Sequence, residues 1–338
     1  MRLEFIHEPQ LEFGNSIHFC PRKGITDYKA YDINADTSDF FLKSLHTEGF
    51  TVLCDDVNAH INYQQRKGWF KSNEEFTLVD FPDNKYVSYL DYFIWDMTKK
   101  ELAMGSATAS TEVNYTDEDS EPEGPRYISL RHDQDSLNFV SPLAYYNYEK
   151  NEINAKGVKF IEVADARIYP NNGEVTVERD AKMRTLEKVR IRANKLTKYY
   201  TIHTATVNIT GRNYYSGFGN YDYLDENNEV QLIHFNNLKV DSGGNTIASG
   251  DIYETANFRL SPVYQFQGRA FLRAPDSLLT FKGGIKIEHN CDHPLPSWLY
   301  FNTEIDPDNI YIPIPEQPVD INRQKIYAGS RQLYYCRN

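Results

Sequence analysis

Four cysteines, four methionines and three tryptophans in 338 residues are few. Cys20, Cys54, Cys291 and Cys336 show no CxxC spacing, so they neither require nor exclude disulfides. No run of eighteen apolar residues occurs, and no transmembrane helix is expected. The opening MRLEFIHEPQLEFG lacks an apolar core and does not read as a secretory signal. Taken literally, such a chain is expected in the cytoplasm. If it belongs to a longer parent with an export signal, the cell envelope or periplasm is expected instead. Excess positive charge is missing as well. A net charge of −12 argues against a phosphate-binding surface, because counterion release needs clustered Lys and Arg. G-x-S-x-G and H-E-x-x-H patterns are also missing, and the glycines of YYSGFGNYDY (214–223) precede no Lys-Ser/Thr pair.

What is present is β text. The 25 Tyr and 19 Phe suit pleated, half-buried surfaces. Between residues 138 and 260, β-branched and aromatic runs alternate with tight turns: LAYYNY–EKN–EINAKGVKFIEV, ARIYP–NNG–EVTVE and VQLIHFNNLKV–DSGG–NTIASGDI. This rhythm predicts an all-β fold, an elongated β-solenoid or β-jellyroll of short strands and tight turns. Val57, Ala59, Ile61 and Tyr63 alternate with Asn58, His60 and Asn62, the period of a half-buried strand. The run KYVSYLDYFIWDM reads as one strand, and MTKKEL (97–102) as a short helical turn. Composition divides the chain into an N-terminal extension (1–32), a β-rich domain (33–104), an acidic linker (105–125), a repetitive β domain (126–291) and a Pro-rich C-terminal segment (292–338). Gly268, Pro275–Asp276 and Gly283–Gly284 are expected to separate strands within 261–291, and SPVYQFQG there echoes SPLAYYNY at 141. The ending QLYYCRN, in strand-like text, is what a truncated chain would show.

Few constellations carry chemistry. His289, Cys291 and His293 alternate, so on a strand they would share a face and could ligate zinc. The plainer reading is a strand end entering a Pro-rich loop, and no other cofactor is expected. Asp117, Glu118, Asp119, Glu121 and Glu123 lack the spacing of a calcium loop and read as a solvated linker. Carboxylate pairs for glycosidic work could be drawn from Asp165, Asp180, Asp222 and Asp225, with nothing to fix their separation. Lys182, Arg184, Lys188, Arg190 and Arg192 fall at even spacing and would form one basic stripe on a strand. That stripe is either a solvated face that resists edge pairing or a contact for an anion or glycan. Tyr214, Tyr215 and Tyr221 are the matching aromatic candidates for a sugar contact, against a plain turn.

Two resemblances follow from particular residues. Tyr146, Tyr148, Asn151, Ile153, Ala155, Gly157 and Val158 sit in a pattern that resembles the OstA-like β-modules of lipopolysaccharide-transport proteins. Over residues 33–338 the phrases QQRKGWFKSN, KYVSYLDYFIWDM, QDSLNFVSPLAYYNY, VADARIYP and FKGGIKIEHNC resemble a large, uncharacterised Bacteroidetes cell-envelope protein. Residues 9–32 resemble the lead-in to the MID domain of prokaryotic argonautes, through Leu11, Glu12, Phe13, Gly14, Pro21, Arg22, Gly24, Tyr31 and Asp32. The first two imply a non-enzymatic scaffold of the envelope presenting a β surface to glycan, lipid or protein. The third implies an accessory of a nucleic-acid defence system, which the acidic charge opposes. A metal-dependent or polysaccharide-cleaving enzyme is the remaining class.

Overall fold

A computed structural model describes residues 2–4, 11–13, 17–21, 25–105, 120–225, 227, 229–288 and 298–326. It is all-β, as the strand-turn rhythm predicts. Two curled antiparallel sheets each form a half-barrel. Among the described residues the only helical pieces are four single 3-10 turns. The chain clusters into two compact units. Unit 1 comprises Met1–Val163, Ile168–Glu187 and Asn208–Tyr214; unit 2 comprises Ala164–Arg167, Lys188–Val207 and Tyr215–Asn338. Strand Asp32–Lys43 pairs with Ile17–Pro21 and Ile25–Tyr28, so the N-terminal segment joins the first sheet. Strands Glu101–Gly105 and Arg126–Ser129, which flank the acidic segment, belong to that same sheet. Residues 106–119 of that segment lie outside the described residues.

The first sheet forks. Asp32–Lys43 occupies one edge of Phe50–Asn62 along its length. On the other edge, residues 57–62 pair with Lys67–Ser72, while Leu53 and Cys54 pair with Thr77–Phe81. Between the two pairings Asp56 takes φ 57°, a left-handed residue in mid-strand. That bulge switches the buried face from Val52 and Cys54 to Val57, Ala59 and Ile61. Two branches leave the fork, one through Tyr92–Asp96 and Glu101–Gly105, the other through Tyr86–Leu90 and Arg126–Ser129. KYVSYLDYFIWDM is therefore two strands rather than one, broken at Asp91, whose carbonyl accepts from the Ser72 amide at 2.8 Å. MTKKEL is not helical: it forms the hairpin turn into Glu101–Gly105, since Phe93–Asp96 and Glu101–Met104 lie side by side.

Unit 1 packs Phe40, Phe70 and Phe93 as an aromatic cluster, with centroids 4.5 and 4.8 Å apart. Beneath its hairpin loops runs a buried polar network. The Tyr146 hydroxyl meets the Thr51 hydroxyl and donates to Asn151 Oδ1 at 3.2 Å. Asn151 Nδ2 donates to Asp83 at 3.0 Å, Ser44 donates to the same carboxylate at 2.6 Å, and Asn84 Nδ2 donates to the Asn151 carbonyl at 2.8 Å. Asn151 holds φ 54°, a conformation that asparagine tolerates better than most residues. Full burial of Thr51, Asn84, Asn151 and Tyr146 makes every missing bond in this network costly.

In the second sheet, Val230–Val240 and Thr246–Ile252 form the expected hairpin, and Asp241 closes its DSGG turn by accepting from the amides of Gly243 and Asn245. The strands either side of NNG do not pair with each other: Ala166–Tyr169 lies in the second sheet and Val175–Val177 in the first. Gly268 and Gly283 do not separate strands; they face each other inside a hairpin. A Cβ on Gly268 would meet the Lys282 carbonyl at 2.4 Å, so the strands approach there as only glycine allows. The C-terminal segment begins with strand Leu299–Ile305, and residues 306–326 are mostly irregular and exposed. Residues 327–338 lie outside the described set.

Burial raises Tyr86, Tyr127, Tyr146 and Tyr215 well above the ordinary tyrosine value of 10.0. The Cys54 thiol is pushed up from 9.0 to about 12 by burial, against the pull of its Thr77 hydrogen bond. A raised acid stays protonated in the fold while the unfolded chain ionises. Stability is therefore intact below pH 9 and falls as pH climbs past 10. Each such tyrosine withdraws about 1.4 kcal/mol per pH unit above its unfolded value. Urea melts at stepped alkaline pH should show a midpoint falling steeply above pH 10, and less steeply in Tyr127→Phe; a flat midpoint through pH 11 contradicts this.

Candidate functional site

The outward face of unit 2 is built by strict alternation. In Thr246–Ile252 the even positions are buried and Ile247, Ser249 and Asp251 point outward. Facing strands set matching rows. Asn237 lies opposite Ser249, Ser249 opposite Phe271, and Phe271 opposite Thr280. Beside them Lys239 lies opposite Ile247, and Ile247 opposite Arg273. These residues, with Leu278 and Asp276, line a hollow of about 430 Å³. Its lining is apolar at Ile247, Phe271 and Leu278 and charged at Lys239, Arg273 and Asp276. Arg273 is shared with Asp276 at 3.1 Å and Asp241 at 3.9 Å. Backbone amides of Asn245 and Gly243 hold the Asp241 carboxyl below the usual carboxylate range, so it stays an anion beside the rim.

The same face continues onto the hairpin of Tyr214–Leu224 and Val230–Val240. Leu224 pairs with Val230, and Asp222 with Leu232. These three apolar side chains are 48%, 62% and 56% exposed. A solvated sheet face would carry Thr, Lys or Glu there. Polar groups border the strip. His203 Nε2 meets Asp222 at 3.0 Å, and His203 Nδ1 meets the Thr204 hydroxyl at 3.1 Å. His234 Nδ1 meets Asn220 at 2.8 Å, and Phe218 packs on the His234 ring with centroids 6.0 Å apart. With its proton on Nε2, His203 would donate to Asp222 and accept from Thr204, which fixes the orientation of the ring.

Few of the residues singled out in the sequence come together. Tyr214 is 63% exposed, but Tyr215 is 3% exposed, on the opposite strand face, where its hydroxyl bonds Thr246 at 2.6 Å. Tyr215 is thus a core residue rather than a surface contact. Tyr221 is half-buried between the rings of Tyr200 and Phe235. The basic stripe does not form one line. Lys188 holds φ 54°, and its bulge exposes Glu187 and Lys188 together, so parity changes along the stripe. Arg184 is clamped by Glu152 at 2.7 Å and Glu178 at 2.9 Å, and Lys182 meets Glu178 at 3.1 Å. Hydrogen bonds from Arg184 and Lys182 hold the Glu178 carboxyl below its ordinary range. Those two cations are already neutralised. Lys182 and Arg184 fall in unit 1, whereas Lys188 and the half-buried Arg190 and Arg192 fall in unit 2.

The four candidate carboxylates serve separate partners. Asp165 accepts from the Thr246 amide and hydroxyl at 3.0 and 2.6 Å. Asp180 pairs with Lys85 at 2.8 Å, and buried Asp225 accepts from the amides of Asn227 and Glu229. Asp222 alone of the four faces the open strip. His289, Cys291 and His293 lie outside the described residues. Among the described residues no cluster of three or more His, Cys, Asp or Glu is placed to hold a metal ion. No helix among them is long and apolar enough to cross a membrane. Comparison of the chain with protein families, with curated proteins and with solved structures returns no match.

Ile247, Phe271, Leu224 and Leu232 escaped the sequence analysis because alternation alone does not say which face of a strand is covered. Tyr215→Phe should cost about 1 kcal/mol through the lost Thr246 bond, and Tyr215→Ala about 3–5 kcal/mol. Tyr214→Ala should stay within about 0.5 kcal/mol of the parent. Urea denaturation of the three variants checks the order; equal losses at 214 and 215 would overturn the assignment of faces.

Proposed function

We propose that the chain is a non-enzymatic β-scaffold of the cell envelope whose open face in unit 2 receives an amphipathic, anionic ligand of the glycolipid class. The observation that carries this is the exposed strip of Leu224, Val230 and Leu232 on the same face as a hollow whose apolar residues are bordered by Lys239 and by the Arg273–Asp276 ion pair. Acyl chains bury area on Phe271, Ile247 and the strip, at about 25 cal/mol per Å² of apolar surface removed from water. A phosphate or carboxylate of the headgroup meets Lys239 and Arg273, and sugar hydroxyls meet Asn237, Ser249 and the Asn220–His234 pair. The envelope placement rests on the OstA-like residues from Tyr146 to Val158. Antiparallel sheets count against stacked parallel rungs, and the sequential strand order of the second sheet is that of a meander.

Cosedimentation with vesicles containing lipopolysaccharide tests the proposal. The parent protein should sediment with them and remain in solution with uncharged phosphatidylcholine vesicles. Phe271→Ser with Leu232→Ser should weaken binding about tenfold or more, and Lys239→Gln should make the remainder less salt-sensitive. Equal binding by parent and double variant would remove this face from the function.

A further inference from the structure

The fork in unit 1 holds a second surface that the glycolipid face does not use. Where Phe50–Asn62 leaves Lys67–Ser72 and takes up Thr77–Phe81, a hollow of about 410 Å³ opens. Asp55, Asp56, Glu74 and Asp80 line it, and no Lys, Arg or His is among its lining residues. Its apolar side is formed by Phe76 and Leu78, both exposed, and continues to exposed Tyr89, which lies opposite Leu78 on the neighbouring strand. The surface is therefore neither a simple acidic cluster nor a simple apolar face. It alternates the two at the strand period: Leu53 and Asp55 point outward on one strand, Leu78 and Asp80 on the next.

The carboxylates differ in how well they are satisfied. Asp56 accepts from Asn73 at 2.9 Å. One Asp80 oxygen, by contrast, is shut off from solvent without a hydrogen-bond partner among the described residues. Burial pushes the Asp80 carboxyl above its ordinary range, against a hydrogen bond from the Phe81 backbone. Four acids around one hollow with no cation among its lining residues are the arrangement that a guanidinium or ammonium donor would complete.

We infer that this fork is a docking site for an extended protein segment that alternates basic and apolar side chains. Arginine or lysine would enter the hollow against Asp80, Asp55 and Glu74, while the intervening apolar side chains would cover Phe76, Leu78 and Tyr89. Charge complementarity selects this occupant: an acidic or neutral segment would leave the carboxylates desolvated and unpaired. A second copy of this chain, at −12, is disfavoured for the same reason.

The test is fluorescence anisotropy with a short fluorescein-labelled peptide alternating arginine and leucine. Peptides alternating glutamate with leucine, and arginine with serine, serve as comparisons. Saturable binding of the first, at least tenfold tighter than either comparison, is expected. Asp55→Asn with Glu74→Gln and Asp80→Asn should weaken it tenfold or more, and so should Phe76→Ser with Tyr89→Ser. Neutralising Glu254, Glu304 and Glu316, exposed in unit 2, changes net charge equally and should leave binding intact. Far-ultraviolet circular dichroism and the urea midpoint confirm that each variant folds; a variant that fails is replaced by Asp55→Asn alone, which is exposed. If the unit 2 triple loses as much affinity as the fork triple, or the fork variants bind like the parent, the site is overturned.

Discussion

One constraint governs where the strand side chains among the described residues point: a strand with one covered face must alternate, and only a bulge can reset the alternation. Three bulges do so with a left-handed residue in mid-strand, at Asp56 (φ 57°), Lys188 (φ 54°) and Thr204 (φ 50°). Before each, even-numbered residues are buried, with Thr51 buried as well in the first strand; after each, odd-numbered ones are. Each places two polar residues outward in succession: Asp55–Asp56, Glu187–Lys188 and His203–Thr204. Asn236–Asn237 makes the reverse switch, from buried Ile233 and Phe235 to buried Leu238, without a positive φ, where the register with the neighbouring strand slips between Gly217 and Gly219. The extra residue bends its strand and increases its local twist, which is how an antiparallel meander curls instead of lying flat. Thr204 is the costliest of the three, because a β-branched residue is rarely found there.

These resets sit beside the surfaces that carry the functional proposals. Asp55–Asp56 marks the point where the first sheet divides, and the hollow there exists because one strand edge is shared by two successive partners. His203–Thr204 aims the imidazole at Asp222 on the next strand. Asn236–Asn237 turns Asn237 and Lys239 toward the hollow above Phe271. Fold and candidate site thus arise from the same local event, a polar doublet inserted into an alternating strand.

The β class, the hairpin at DSGG and the half-buried strand through Ala59 and Ile61 were readable from period and turn chemistry, because both act over a few residues. Parity across a bulge was not. A basic stripe at even spacing presupposes unbroken alternation, and alternation breaks at Lys188. Tyr214, Tyr215 and Tyr221 were grouped by residue type, yet adjacent strand positions face opposite ways. Gly268 and Gly283 looked like breaks because glycine usually punctuates; here the two allow backbones to approach across a hairpin. Pairing between distant strands is invisible to local text, so ARIYP and EVTVE could not be assigned to different sheets from their turn alone. The polar doublets, by contrast, were in plain view: DD, EK, HT and NN each interrupt a clean alternation.

The residues that carry the OstA-like resemblance serve the architecture. Tyr146 and Asn151 are fully buried and bond to each other, to Thr51 and, through Asn151, to Asp83. Ile153, Ala155 and Val158 are buried as well. A pattern made mostly of inward-facing residues, with positive φ at Asn151 (54°) and Gly157 (75°), specifies a hairpin and the polar network beneath it. The open face of unit 2 and the acidic fork of unit 1 are built from outward residues that such a pattern leaves free to vary. The chemistry of the two faces, not the hairpin pattern, is therefore what the proposed ligands depend on.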